Sequence, residues 1–167
     1  GINVSGILSP GNSIESLGGG ALSFATGSTY AYDLNTLGLN GDLTYSSGTL
    51  NIASGTILTL TDLGASTALA NGSKLTLISS VGAWNFGLFS YDAGAGLTTL
   101  ADDSPFTLGA NTWTFNYNDT LAGSNFTGDT SGATNFVTLT VIPEPNVAAL
   151  VGGLSVLAML RRRRHAY

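Results

Sequence analysis

The sequence predicts an all-β domain over residues 1–142, followed by a short C-terminal transmembrane α-helix. Runs at 42–45, 49–52, 74–78, 112–117 and 136–141 alternate apolar and polar residues, which indicates strands with one buried and one wet face. Threonine, valine, isoleucine and aromatic residues, which suit a pleated sheet, fill these runs. Glycines interrupt the chain before Pro143 too often for a capped helix, whereas the segment 147–160 carries no charge at all.

A glycine repeat indicates how the strands are arranged. Gly-x-Leu or Gly-x-Ile begins at Gly6, Gly20, Gly41, Gly48 and Gly55, at intervals that are all multiples of seven. A coiled coil with this repeat would lose about 1 kcal/mol per glycine relative to alanine. We therefore interpret the repeat as a turn plus a short strand, with three such units in each coil of a β-solenoid. Chance recurrence in a glycine-rich chain is the alternative.

Charge divides the chain into two parts at Pro143. Nine acidic residues and a single basic one, Lys74, precede it, whereas Glu144 and four arginines follow. The acidic first part disfavours nucleic acid as a partner, because phosphate binding needs a basic face. The absence of cysteine excludes disulfides and thiolate chemistry. A hydrophobic fraction of 43% is too high for a disordered chain.

The tail is predicted to be a membrane anchor. Pro143 and Pro145 fix the backbone and lack an amide donor, so strand pairing should stop there. A helix over 146–160 would span about 22 Å, shorter than the hydrocarbon core of about 30 Å. Its apolar residues are Val147, Leu150, Val151, Leu154, Val156, Leu157 and Leu160. Arg161, Arg162, Arg163 and Arg164 resist translocation, which places residues 1–142 outside the inner membrane.

The order Pro143-Glu144-Pro145, apolar segment and basic tail (161–167) resembles the PEP-CTERM sorting signal of Gram-negative bacteria. The resemblance implies recognition by an exosortase in the membrane and cleavage near the motif. It also implies export across the inner membrane, transient anchoring in lipid, and a final location at the cell surface, outer envelope or extracellular matrix. Family association adds a link to exopolysaccharide and biofilm. A tail-anchored protein with a chance Pro-Glu-Pro triplet is the alternative.

Residues 2–90 resemble the autotransporter-associated β-strand repeat region of bacterial surface proteins. The match centres on residues 8–13, Leu-Ser-Pro-Gly-Asn-Ser, followed by short strands punctuated by glycine. The resemblance implies a right-handed parallel β-helix. Because the tail implies export, we also expect a longer precursor with an N-terminal signal sequence and more of the same fold.

Residues with catalytic chemistry are few before Pro143. This part has no His, Arg or Cys, so acid–base work would fall to carboxylates, Lys74 or tyrosines. The candidate carboxylates lie within two residues of Gly, Ser, Thr or Asn, where aspartate typically holds turns, and we predict that role for them. They are Asp92, Asp102, Asp103, Asp119 and Asp129. No cofactor or metal site is predicted, although the loop at 116–132 has oxygen ligands suited to weak cation binding.

Four aromatic residues lie close together at Trp84, Phe86, Phe89 and Tyr91. We interpret them as a cluster that closes the end of the core, with a sugar-stacking platform as the alternative. The sequence therefore predicts an exported, non-enzymatic surface or matrix protein. Its expected partners are an exosortase, membrane lipid and extracellular polysaccharide. The alternative is a carbohydrate-active enzyme, with two carboxylates about 5 to 10 Å apart, or a glycan-binding adhesin on a β-helix.

Overall fold

The computed structural model describes residues 1–11, 13–92, 94, 96–127 and 132–143. All regular secondary structure in these residues is β-strand, which confirms the all-β prediction. In chain order the strands are β1 (Ile2–Val4), β2 (Ile7–Leu8), β3 (Ser16–Gly19), β4 (Leu22–Phe24), β5 (Thr29–Asn35), β6 (Asn40–Gly41), β7 (Leu43–Ser46), β8 (Leu50–Ile52), β9 (Ile57–Asp62), β10 (Lys74–Ser80), β11 (Ser90–Asp92), β12 (Leu97–Thr99), β13 (Ser104–Leu108), β14 (Asn111–Asp119) and β15 (Asn135–Ile142).

The strands form three sheets, which we name A, B and C. Sheet A has the order β1-β4-β8, sheet B the order β12-β11-β9-β5-β2 with β6 beside β5, and sheet C the order β13-β14-β15-β10-β7-β3. From β1 to β10 the chain visits A, B and C in the same order three times. Each returning strand pairs in parallel with the strand of the previous visit.

The distance along the chain between equivalent positions increases with each visit. Leu22 pairs with Ile2, and Leu50 pairs with Leu22. Trp84 then makes a parallel bridge to Leu50. The number of residues between paired positions is larger from Leu22 to Leu50 than from Ile2 to Leu22, and larger again from Leu50 to Trp84. The predicted coil of three seven-residue units is therefore wrong. Parallel pairing aligns the equivalent strands of successive visits, but the connections between strands vary in length.

Two kinds of turn recur in successive visits and explain part of the glycine repeat. Ser28 and Thr56 each donate a hydroxyl hydrogen bond over 2.7 Å to a carbonyl three residues earlier, Ala25 O and Ala53 O. The glycine before each hydroxyl residue has a left-handed backbone, with φ of 75° and 78°. At another corner, Ser46 and Ser80 each donate to the carbonyl of the glycine two residues later. Hydroxyl residues and glycine thus specify corners locally.

Strand β10 joins the parallel part of the fold to an antiparallel part. It pairs in parallel with β7 on one side and antiparallel with β15 on the other. The antiparallel neighbours β14 and β13 follow, and β14 alternates buried and half-buried residues as the run at 112–117 predicts. The register of β10 against β15 shifts between Thr76 and Ile78, the signature of a β-bulge.

Buried tyrosines connect sheet B to sheet C at this bulge. The hydroxyl of Tyr30 donates to Leu77 O over 2.9 Å and lies 3.1 Å from Thr44 Oγ1. The hydroxyl of Tyr32 donates to Thr76 O over 3.2 Å. Both tyrosines are on β5, and both are completely buried. Each hydroxyl therefore satisfies a carbonyl of the irregular segment of β10 from across the core.

We expect Tyr30→Phe to lower the free energy of unfolding by about 1–3 kcal/mol, because Leu77 O loses a buried donor. Urea denaturation followed by circular dichroism measures this change. Tyr45→Phe is the matched control, since the half-buried Tyr45 ring contacts Phe126 and its hydroxyl has no partner among the described residues. Equal losses in the two variants would contradict this account of the Tyr30 hydroxyl.

Candidate functional site

The predicted sorting signal begins where the folded domain ends. β15 ends at Ile142, and the exposed Pro143 follows outside any strand, which confirms that pairing stops at this proline. Backbone hydrogen bonds between Gly72 and Val141 O and between Val141 and Ser73 O, at 2.9 and 2.8 Å, hold β15 until its penultimate residue. The pairing of Thr112 with Ile142 holds its other side.

The remaining residues of the predicted signal lie outside the described residues. These are Glu144, Pro145, the apolar segment at 146–160 and the basic tail at 161–167. Among the residues that the structure does describe, there is no helix of the length and hydropathy needed to span a membrane. The membrane helix therefore stays a prediction.

The aromatic cluster is divided between the core and the surface. Phe89 is completely buried and Tyr91 nearly so, and Phe89 stacks on Tyr30 and Tyr117. Trp84 is half-buried and lies parallel to Tyr117, with ring centres 4.8 Å apart. The prediction that these residues close one end of the core is confirmed for Trp84 and Phe89. It is wrong for Phe86, whose side chain is 81% exposed.

Phe86 is presented by a strained but firmly held loop. Its φ of 63° lies in the left-handed region, which is costly for an aromatic residue. Trp84 Nε1 donates to Gly87 O over 2.7 Å, and the amide of Gly87 donates to Asn85 Oδ1 over 3.0 Å. Gly87 has no room for a Cβ atom, because the Ile52 carbonyl lies where that atom would be. This loop exposes the Phe86 ring, whose centre lies 5.2 Å from that of the Trp84 ring.

The side-chain amide of Asn85 replaces a strand partner for β8. Ile52 N donates to Asn85 Oδ1 over 3.0 Å, and Asn85 Nδ2 donates to Ile52 O over 3.3 Å. Two more asparagines act in the same way: Asn125 bonds both N and O of Thr76, and Asn111 bonds Leu69 N and Thr67 O. Sequence reasoning missed these residues. Asparagine between strands predicts a turn, but it does not identify the distant backbone that it will pair with.

The candidate carboxylates accept hydrogen bonds from nearby backbone and side chains. Asp92 Oδ1 accepts from the amides of Gly94 and Gly96, and Asp102 Oδ1 accepts from the amide of Tyr117. Asp103 Oδ1 accepts from the side chain of Asn116. The turn-holding role is confirmed for Asp92, whereas Asp102 and Asp103 attach their turn to β14. Asp129 lies outside the described residues.

Asp119 combines a turn contact with an ion pair. Its Oδ1 accepts from the amide of Leu121, which confirms the turn role, and its Oδ2 lies 2.5 Å from Lys74 Nζ. Thr138 Oγ1 donates to the same oxygen over 2.9 Å. Burial alone would raise the pKa of Asp119, but the hydrogen bonds from Lys74, Leu121 and Thr138 lower it overall. This arrangement favours a charged structural pair between β10 and β14.

Sequence reasoning also missed Asp42 and Asp62, whose carboxylates hold the corner between sheets B and C. Asp42 accepts from the amides of Glu15 and Asp33 at 2.9 and 3.1 Å. Burial raises the pKa of Asp42; the two amides oppose that rise, and the charges of Asp33 and Glu15 add to it. Asp62 accepts from the amide and hydroxyl of Thr36 and from the amide of Gly64. Both carboxylates therefore accept hydrogen bonds from backbone amides and stabilise this corner.

Comparison with protein-family models, with curated proteins and with solved structures finds no match to this chain. The part of the chain that the structure describes contains no group of three or more His, Cys, Asp or Glu side chains placed to hold a metal ion. In the loop at 116–132, which was considered for weak cation binding, Asp119 and Asn125 bond to Lys74 and Thr76 of β10. What the protein does is therefore inferred from its own residues.

We expect Asp62→Ala to lower the free energy of unfolding at pH 7 by roughly 2 kcal/mol, because three donors lose a charged acceptor. Burial raises the pKa of Asp62, but the bonds from Thr36, Gly64 and Ser66 lower it below the ordinary value of 3.8. A lowered pKa stabilises the fold above 3.8, and this contribution is lost as the pH falls further. The difference between wild type and variant should therefore narrow below about pH 3.8.

Chemical denaturation between pH 7 and pH 2.5 measures this difference. Glu15→Ala is the control, since Glu15 is exposed and its carboxylate accepts no hydrogen bond from the described residues. A difference between Asp62→Ala and wild type that stays constant down to pH 2.5 would contradict a role for the ionised carboxylate.

Proposed function

We propose that this protein is an exported, non-enzymatic cell-surface or extracellular-matrix protein that an exosortase processes at its C-terminal sorting signal. The observation that carries this proposal is the end of β15 at Ile142, directly before the exposed Pro143. Cleavage beyond Pro143 would leave every described strand intact. The Pro-Glu-Pro motif, the uncharged segment and the four arginines supply the parts that such processing needs.

Most of the described carboxylates support a structural role. Asp42, Asp62, Asp92, Asp102, Asp103 and Asp119 all accept hydrogen bonds from amides or side chains of the fold. A glycoside hydrolase instead needs two carboxylates that are free to face a substrate. Lys74, the single basic residue before Pro143, is engaged with Asp119.

We infer that the exported domain is a parallel β-solenoid closed by antiparallel strands, with the right-handed form implied by the repeat-like sequence at 2–90. Three visits to sheets A, B and C in the same order, joined by parallel pairing, support this inference. A solenoid exposes the long faces of its sheets rather than a cleft. Exposed faces of this kind suit a structural component of an envelope or matrix.

The C-terminal residue of the mature protein tests the sorting proposal. We expect mass spectrometry of the native protein to find a C-terminus after Ile142 and before Tyr167 in cells with the exosortase, and Tyr167 retained in cells without it. Replacing Pro143, Glu144 and Pro145 by alanine should preserve the tail in both kinds of cell. Pro105→Ala, in edge strand β13, is the matched control and should be processed normally. A native product that ends at Tyr167 in both kinds of cell would refute the proposal.

The exposed aromatic loop favours a second candidate function, glycan binding. The Phe86 ring lies beside the half-buried indole of Trp84. Trp84 bridges to Leu50 of sheet A, which carries the half-buried polar side chains of Asn51 and Ser23, and Asn51 Nδ2 donates to Ser23 Oγ. Aromatic rings offer apolar contact to the faces of sugar rings, and polar groups orient the hydroxyls. The net negative charge of residues 1–142 favours a neutral glycan over an acidic one.

Replacing Phe86 by glycine separates binding from folding. Glycine accepts the left-handed backbone, so Phe86→Gly should keep or raise the free energy of unfolding, by up to about 1 kcal/mol. It should abolish retention on neutral polysaccharide in affinity electrophoresis. Leu37→Gly, which removes an apolar side chain that is 76% exposed elsewhere, should keep binding. Unchanged retention of the Phe86→Gly protein would eliminate this candidate.

A further inference from the structure

The predicted tail leaves the domain at one end of sheet C. β15 runs antiparallel to both of its neighbours, and Ile142 at its end pairs with Thr112 near the start of β14. On the other side, the amide of Gly72 donates to Val141 O over 2.9 Å. The loop before β10 and the turn between β13 and β14 therefore lie at the same end of the sheet as Pro143.

This loop and this turn are held against each other. The buried Asn111 accepts from the amide of Leu69 and donates to Thr67 O, each over 2.8 Å. A Cβ atom on Gly109 would lie 2.5 Å from Ser66 Oγ, so the turn and the loop are in direct contact. The two segments therefore form one continuous surface beside Pro143.

The surface beside Pro143 carries no charge. Segments 63–73 and 108–112 contain no Asp, Glu, Lys or Arg, whereas nine acidic side chains and one basic side chain lie elsewhere in residues 1–142. We define the exit face by six exposed residues of these segments: Ala68, Ala70, Asn71, Gly72, Gly109 and Ala110. The exit face can therefore approach anionic lipid without the repulsion that the acidic surfaces of the domain would meet.

The predicted tail has little length with which to hold the exit face away from a membrane. Three residues, Pro143 to Pro145, separate Ile142 from the predicted helix at 146–160. They extend over at most about 11 Å, and the helix spans about 22 Å. Linker and helix together therefore barely exceed the hydrocarbon core of about 30 Å. With the arginines at the inner boundary, Ile142 would lie in the headgroup layer of the outer side.

We propose that the exit face lies on the lipid headgroups at the outer surface of the inner membrane for as long as the tail is anchored. This inference rests on the proposed function, because it requires that residues 146–160 cross the membrane. The exit face lies at the ends of β13 to β15, so these strands stand upright on the bilayer. The eight-residue strand β15 spans about 24 Å, which places Thr134 at least that far above the lipid.

The contact depends on the tail and ends when the tail is removed. The exit face has no basic side chain with which to bind anionic lipid by itself, and its side chains are too small to insert deeply. The short linker is therefore what holds the domain on the bilayer. Processing at the sorting signal would release the domain from this contact.

Single fluorescent labels test where the membrane lies. The chain has no cysteine, so Ala68→Cys and Ala110→Cys each give one labelled position on the exit face. Thr134→Cys, exposed just before the start of β15, is the matched control. The full chain is reconstituted in vesicles of phosphatidylethanolamine and phosphatidylglycerol that contain lipid with a nitroxide on its headgroup. We expect the nitroxide to quench the labels at positions 68 and 110 several-fold more than the label at position 134.

Flotation of the vesicles separates failure of this inference from failure of the proposed function. Protein that floats with the vesicles, but with equal quenching at the three positions, overturns the placement of the exit face and leaves the anchor intact. Protein that does not float overturns both, since no anchor then holds the domain at the lipid.

A longer linker tests what holds the exit face on the lipid. We insert a flexible segment of about twelve Gly and Ser residues, about 19 Å long on average, between Ile142 and Pro143. This insertion should reduce quenching at positions 68 and 110 to the level at position 134, while the protein still floats. The same segment added after Tyr167 is the matched control and should leave quenching unchanged. Quenching that persists with the longer linker overturns the proposal. Circular dichroism confirms that each variant is folded.

Discussion

Backbone amides and carbonyls that lose their strand partners are the constraint on which this fold depends. The strands are short, so pairing stops often. Each interruption leaves polar groups near the core that need a partner. Here the partners are side chains: Asn85 for Ile52, Asn125 for Thr76, and the hydroxyl of Tyr30 for Leu77. An apolar residue at any of these positions would leave a buried backbone group unsatisfied.

This constraint explains why β10 can change from parallel to antiparallel pairing. The bulge at Leu77 breaks the regular register against β15, and the carbonyls that it displaces are bonded by Tyr30 and Tyr32 from sheet B. Asn125 supplies the partner for Thr76 ahead of the point where β7 pairs with β10. The antiparallel strands β13 to β15 can then join sheet C. They form the part of the domain that leads to Pro143.

Most of the few charged side chains of the domain also bond to other groups of the fold. Asp42 and Asp62 bond to amides at the sheet B to sheet C corner, and Lys74 of β10 pairs with Asp119 of β14 across the intervening strand β15. Most of the described charged side chains are thus bonded within the fold, which supports the proposed structural role. The distinctive surface among the described residues is the rigid loop of Phe86.

Alternation of apolar and polar residues was enough to predict the β class, because the two faces of a strand differ at every second residue. Pro143 likewise predicted the end of β15, since proline cannot donate to a ladder. Pairing between successive visits to a sheet could not be predicted, because the glycine repeat is local whereas the corners vary in length. Tertiary structure alone separated Phe86 from Phe89, and it alone gave Asn85, Asn111 and Asn125 their partners. Those outcomes depend on which distant backbone lies next to each side chain, and no local pattern in the sequence contains that information.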